Sequence, residues 1–191
     1  MRVLIFWLNL VVASALLVAP AAAQDAERDP AVSGDRVEEL LERLARPDLQ
    51  HWHRIERDLV NEWSQSGSAT MDLLLERGRE ALAEGDTDAA IEHFTALTDH
   101  APDFAEGWHI RATAYFQAGL IGPALADLEQ AIALNPNHFG ALTGIGTIME
   151  ETGHPERALR AFEAAHDIHP HHPRINAALE RATRAVGGRG I

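Results

Sequence analysis

The residues of this chain that could do chemistry are its histidines and its carboxylates. Of 11 histidines, four crowd into one short stretch: His166, His169, His171 and His172. Imidazoles three residues apart share a helix face and can hold a divalent metal. Two more, His51 and His53, flank Trp52 and should be exposed if that indole is buried. Asp167 is the one obvious acidic neighbour of the cluster, and Pro170 and Pro173 break it up. Two readings follow: a metal-binding or metal-delivery segment, or a polar turn that is rich in histidine. The carboxylates, as at Glu38, Glu39 and Glu42, fall on solvated helix faces with no second catalytic group beside them. There is no GxSxG elbow, no phosphate-cradling glycine loop, no HExxH and no cysteine. The expectation is a protein that is not an enzyme and needs no cofactor.

The elements that would position these groups show themselves as columns. Pro102, Pro136 and Pro170 lie 34 residues apart, as do Gly85, Gly119 and Gly153, and Ala90, Ala124 and Ala158. Phe94, Leu128 and Phe162 keep the same step, followed by Leu97, Ala131 and Ala165. Each column has a physical reason within a helix–turn–helix unit. Glycine lets the chain leave the first helix with a positive φ. Asp86, Thr87 or Asp88 offers capping oxygens to the second helix, and Pro123 and Pro155 suit a first helical turn. A small residue lets the two helices approach, and the large one a turn later fills the wedge between them. The closing proline cannot continue the second helix.

The period and these columns resemble the tetratricopeptide repeat (TPR) family. The repeats are then 71–104, 105–138 and 139–172. The resemblance implies an all-α, right-handed superhelical solenoid of antiparallel helix pairs with N- and C-terminal capping helices. Such a fold serves as a protein-binding scaffold. The pattern is imperfect: first-helix aromatics survive at Trp108 and Tyr115 but become Leu74 and Ala81, or Leu142 and Met149, in the other copies. The leucine usual at the seventh position is Arg77, Arg111 and Ile145.

In that family the first helices line the concave face through positions 2, 5, 9, 12 and 13. Carried over, these give Asp72, Leu75, Arg79, Leu82 and Ala83, then Glu106, His109, Thr113, Phe116 and Gln117, then Gly140, Thr143, Thr147, Glu150 and Glu151. Phe116 and Leu75 would anchor an extended or helical peptide, with Arg79 and His109 as donors. The Lys and Asn set by which co-chaperone relatives clamp a C-terminal carboxylate is missing, which argues against that partner.

The flanks complete the stack, because a repeat cannot bury its apolar face alone. Residues 173–186 read as a capping helix with Ile175, Ala178, Leu179, Ala182 and Val186 at helical spacing, and 187–191 as a tail. Residues 35–70 read as an N-terminal helical cap docked on the first repeat. Its stripes are Val37, Leu40, Leu41 and Leu44, then Trp52, Ile55, Leu59 and Trp63. Residues 24–34 are polar and read as a flexible linker. Residues 1–23, with Arg2, an apolar run from Val3 to Ala19, and Pro20 before Ala21-Ala22-Ala23, read as a signal peptide cleaved between Ala23 and Gln24. An uncleaved anchor is the alternative, and it would be the only membrane contact. A net charge of −13, with arginine as the sole strong base, speaks against nucleic acid. The stretch from Arg46 to Leu82, with that from His100 to Gly146, is similar to small periplasmic TPR proteins of alphaproteobacteria associated with cell-envelope integrity. That resemblance implies a periplasmic adaptor for an envelope protein or assembly complex.

Overall fold

A phenylalanine ring pressed against a missing side chain sets the geometry of the stack. A Cβ on Gly78 would lie 2.2 Å from the Phe94 ring, and one on Gly146 only 2.4 Å from the Phe162 ring. Both rings are fully buried. In the middle repeat the same two places hold Leu128 and Ala112, smaller against larger, within one core cluster. The expected small column, Ala90, Ala124 and Ala158, is also fully buried. Facing pairs thus conserve volume while exchanging it between partners, which dense packing demands.

The computed structural model describes residues 30–188, so the signal segment 1–23, residues 24–29 of the linker and residues 189–191 of the tail lie outside them. Among the described residues there are nine helices and no strand. The first repeat is α3 (Ala69–Glu84) and α4 (Thr87–His100), and the second is α5 (Ala105–Gln117) and α6 (Ile121–Leu134). The third is α7 (Phe139–Glu151) and α8 (Pro155–Ile168), capped by α9 (Pro173–Gly187). Each helix from α3 to α9 packs on the next. Gly85, Gly119 and Gly153 adopt φ of 82°, 76° and 79°, the left-handed conformation expected of that column. Asp86 caps α4 by accepting from the Ala89 amide at 3.1 Å. Pro155 opens α8. No described helix is long and apolar enough to cross a membrane.

Two expectations need correction. Helix α1 (Pro30–Leu44) begins inside the segment read as a linker, because Pro30 suits a first helical turn and residues 30–34 continue the helix. The larger correction concerns α1 and α2 (Trp52–Trp63), which were expected to dock on the first repeat. Their apolar stripes, Leu40, Leu44, Ile55 and Leu59, share a core with Phe139, Ala165 and Ile175. The pair therefore reaches across to the third repeat and α9. Among the described residues nothing covers the leading face of the first repeat: Leu73 is half exposed, and a shallow cavity opens over Met71, Leu74 and Ala96. The physical reason is the turn Ser64–Ser68, with Gly67 at φ 82°, which directs α2 away from the side of α3.

The exchange of volume across the helix pair makes a direct prediction. Gly146→Ala should lower stability by about 1–3 kcal/mol through overpacking. Adding Phe162→Leu, which copies the middle repeat, should return part of the loss, although Phe162→Leu alone also destabilises. Thermal unfolding of the two single variants and the double variant checks it. Additive losses would contradict the packing account.

Candidate functional site

The concave face divides into a closed half and an open half. The closed half centres on Glu106, at position 2 of α5, which is 6% exposed. Arg79 donates through Nη2 to Glu106 Oε1 at 2.6 Å and to Ser64 Oγ at 3.0 Å. His109 Nδ1 and His138 Nε2 approach the other carboxylate oxygen at 3.1 and 2.9 Å. Burial alone would raise the Glu106 carboxyl, but the hydrogen bonds from His109 and His138 and their charge outweigh it, and hold it far below the ordinary 4.5. Trp63 of α2 stacks on His138 at 4.9 Å, closing the cluster from outside.

Glu106, His109 and His138 place their donor atoms within 4.8 Å of one another, which is metal-like spacing. The hydrogen bonding speaks against that use. His138 caps α7 by accepting from the Ala141 amide with Nδ1, so its proton sits on Nε2 and points at Glu106. A metal on Nε2 would push that proton onto Nδ1, against an amide N–H. The guanidinium of Arg79 already neutralises the carboxylate.

The histidine-rich turn disperses its rings. His166 Nδ1 meets Asn176 Oδ1 at 2.9 Å, and His171 Nε2 donates to the Arg46 carbonyl at 2.7 Å. His172 caps α9 through the Ile175 amide. His169 is fully buried. Among the described residues these histidines form no three-donor group.

The expected groove residues therefore part company. Leu75 is 2% exposed and belongs to the first repeat's core, so it offers no anchor. Asp72 accepts from the Ser66 amide and hydroxyl, which fixes the turn before α3. Arg79 and His109, expected to donate to a ligand, are committed to Glu106. Glu150 is paired with Arg181 of α9 at 2.9 Å. Gln117 is exposed and lies outside the cavity lining. The remaining four come together. Thr113, Phe116, Thr143 and Thr147, with His109, Gly140 and Ile148, line a cavity of about 340 Å³. The three threonine hydroxyls donate to carbonyls of their own helices, His109, Phe139 and Thr143, so the wall is chiefly apolar with free acceptor lone pairs. Arg174 of α9 stands at the rim, exposed and in no ion pair among the described residues.

Sequence reasoning missed two features. Arg174 lies outside the three repeats yet completes the cavity, and repeating the 34-residue step would have placed it at position 2 of a fourth unit. Arg111, noted only as a departure, is buried and held bidentately by Asp127 at 2.6 and 2.9 Å, with a third bond to Thr98 at 2.6 Å. Its guanidinium also lies 4.8 Å from the Trp108 ring. A buried charge requires such a partner, and Asp127 of the facing helix α6 supplies it.

Comparison with known proteins places the fold. Two family models, both described as tetratricopeptide repeat, match residues 75–122 and 121–182. A TPR repeat-containing protein of Rhizobium etli is 34% identical over 71% of this chain and 67% of its own length. The small glutamine-rich TPR-containing protein 2 of Saccharomyces cerevisiae is 27% identical over 60% of this chain, which spans only 33% of that protein. Among solved structures, the first TPR of Spaghetti (RPAP3) bound to the HSP90 peptide SRMEEVD superposes with a TM-score of 0.59 at 25% identity. That match covers 61% of this chain and 93% of the other. The Sgt2 TPR domain of Aspergillus fumigatus matches with a TM-score of 0.61 at 24% identity, covering 64% and 84%.

The depressed Glu106 carboxyl carries a pH prediction. Its folded value lies below the unfolded one, so its contribution is complete above about pH 4.5 and is lost as the pH falls further. Glu106→Gln should be less stable than the parent at pH 7, by roughly 3 kcal/mol for a broken buried pair. The difference should shrink steadily below pH 4.5. Chemical denaturation at pH 7, 4.5 and 3 measures it, and a gap independent of pH would refute the assignment.

Proposed function

The chain belongs to the tetratricopeptide repeat family, and on that premise we propose that it is a scaffold holding a short protein or peptide segment in the open half of its concave face. The observation that carries this reading is the cavity of about 340 Å³ under Arg174, which is in no ion pair among the described residues. An apolar side chain fits between Phe116, Thr143 and Ile148, and an acidic group beside it would meet the guanidinium. The peptide held by the first TPR of Spaghetti is acidic and enters by its printed sequence, SRMEEVD. Only that mode of use is carried over, because the Lys and Asn clamp is missing here. The committed ion pairs of Arg79, Glu106 and His109 restrict the segment to the end of the groove nearer α7 and α9.

The compartment and role belong to the same proposal. A positive start, an apolar run and the small-residue site at Ala21–Ala23 support export to the periplasm with cleavage before Gln24. The resemblance to small periplasmic TPR proteins supports a part in cell-envelope integrity or assembly. The absence of convergent catalytic groups in the cavity lining supports an adaptor over an enzyme. The dispersal of His166–His172 and the tautomer of His138 favour that adaptor over a metal carrier.

A photoreactive amino acid placed at Phe116 or Thr147 in intact envelopes should yield one discrete protein adduct, and one at the exposed Glu163 of α8 should not. Arg174→Glu should weaken capture at least about tenfold, as expected for a lost charge-assisted contact, and Thr143→Trp should abolish it by filling the cavity. Adducts of equal yield from Glu163, or none from the groove, would overturn the reading.

A further inference from the structure

The seam between the helix pair α1–α2 and the solenoid is made of rings. Trp52 lies 5.1 Å from His169 and 6.1 Å from His172, and Trp63 lies 4.9 Å from His138 and 5.5 Å from Phe139. Among the described residues the backbones of α1 and α2 make few close approaches to α7, α8 or α9, so side chains do most of the bridging. Arg46 adds one clasp, its carbonyl accepting from His171. At the centre sits His169. It is fully buried, and among the described residues neither ring nitrogen has a hydrogen-bond partner. Such a group is costly to bury neutral and far costlier to bury charged.

We propose that α1–α2 is a releasable strap, which docks across the inter-repeat turns at neutral pH and swings away about residues 64–68 when its histidine seam is protonated. Release uncovers Phe139, Leu142, Ile168 and Ile175, an apolar strip beside the cavity that is otherwise covered by Leu40, Leu44, Ile55 and Leu59. The groove then lengthens towards α9.

The charged neighbours set the sign. From α2, Glu56 and His53 face the seam; from the turn, His171 and His172; from α9, Arg174, which acts on His172. Leu44 of α1, Phe139 of α7 and Ala165 of α8 contribute only apolar surface. Glu56 Oε1 stays 3.7 Å from His169 Nε2, too far for a hydrogen bond, and it serves His172 at 3.5 Å as well. Burial first, then the neighbouring histidines, push His169 from 6.5 down to about 4. The docked state therefore binds the proton less readily than the released state. Docking is complete above about pH 6.5 and weakens as the pH falls towards 4. His172 and His138 are lowered in the same direction, each by burial first. Both cap a helix with an unprotonated Nδ1, so a proton there also costs a cap.

Hydrogen exchange on the full chain without any partner tests this, so its outcome is independent of whether the groove's ligand is found. Between pH 7.5 and pH 5, protection factors in residues 35–63, corrected for intrinsic rate, should fall roughly thirtyfold, while those of α5 to α8 hold. His169→Phe and the polar, non-titrating His169→Asn should both suppress most of that fall. Three results would overturn the proposal: unchanged protection at pH 5, loss of protection in α1–α2 and α5–α8 together, or the same fall in both variants.

Discussion

Everything in this solenoid depends on how closely the two helices of each repeat approach, and a side chain traded between partners sets that distance. Phe94 and Phe162 need the missing Cβ of Gly78 and Gly146, while Leu128 tolerates the methyl of Ala112. The inward-facing surfaces of α3, α5 and α7 are thereby held at fixed spacing, and the cavity lies between α5 and α7. Gly140 and Gly144 thin the α7 side of the same cavity, where a Cβ would press on His109 and Leu128 at 3.1 and 3.0 Å. One packing rule thus serves both the core and the hollow it leaves.

Much of this was legible because it repeats. The glycine, alanine and large-residue columns recur at a constant step, so the helix pairs, their turns and the buried faces of Ala124 and Phe162 could be read without coordinates. The groove was legible only in part. Thr113, Phe116, Thr143 and Thr147 line the cavity, yet Leu75 turned inward, because a position that faces the groove in one repeat faces the core in another when its neighbours change size. Arg79, Glu106 and His109 were each expected to face the groove as free side chains, and the structure ties them to one another, since periodicity never reports what a side chain binds. The strap lay beyond reach for a similar reason. Trp52, Ile55, Leu59 and Trp63 announce a buried stripe, but an aperiodic helix pair carries no register that says against which repeat it is buried.

The polar residues divide by cost. Arg111 and Asp127 form a fully matched pair, bidentate and stacked on Trp108, buried between α5 and α6. Such a pair fixes the register of α5 on α6 more than it adds stability, because desolvation offsets its attraction. In the first repeat the equivalent residue, Arg77, is exposed and meets Glu80 one turn away. The difference follows from the strap's placement: with none of the described residues stacked on the leading face of α3, a charge there stays hydrated.

His138 and His172 occupy the same position in successive repeats, and the same logic governs both. Each accepts an amide hydrogen bond at Nδ1, from Ala141 and from Ile175, so each must carry its proton on Nε2. For His138 that proton meets Glu106 at 2.9 Å in a hydrogen bond, whereas His172 Nε2 stands 3.5 Å from Glu56 Oε1, near but not hydrogen-bonded. Helix capping therefore chooses the tautomer, and the tautomer chooses the partner. Within the repeats the partner is Glu106, which shuts one half of the groove. At the third turn the nearest carboxylate is Glu56 of α2. At these two positions a residue type that would first be read as a metal ligand works as a capping group, a geometry that disfavours a metal ion on Nε2.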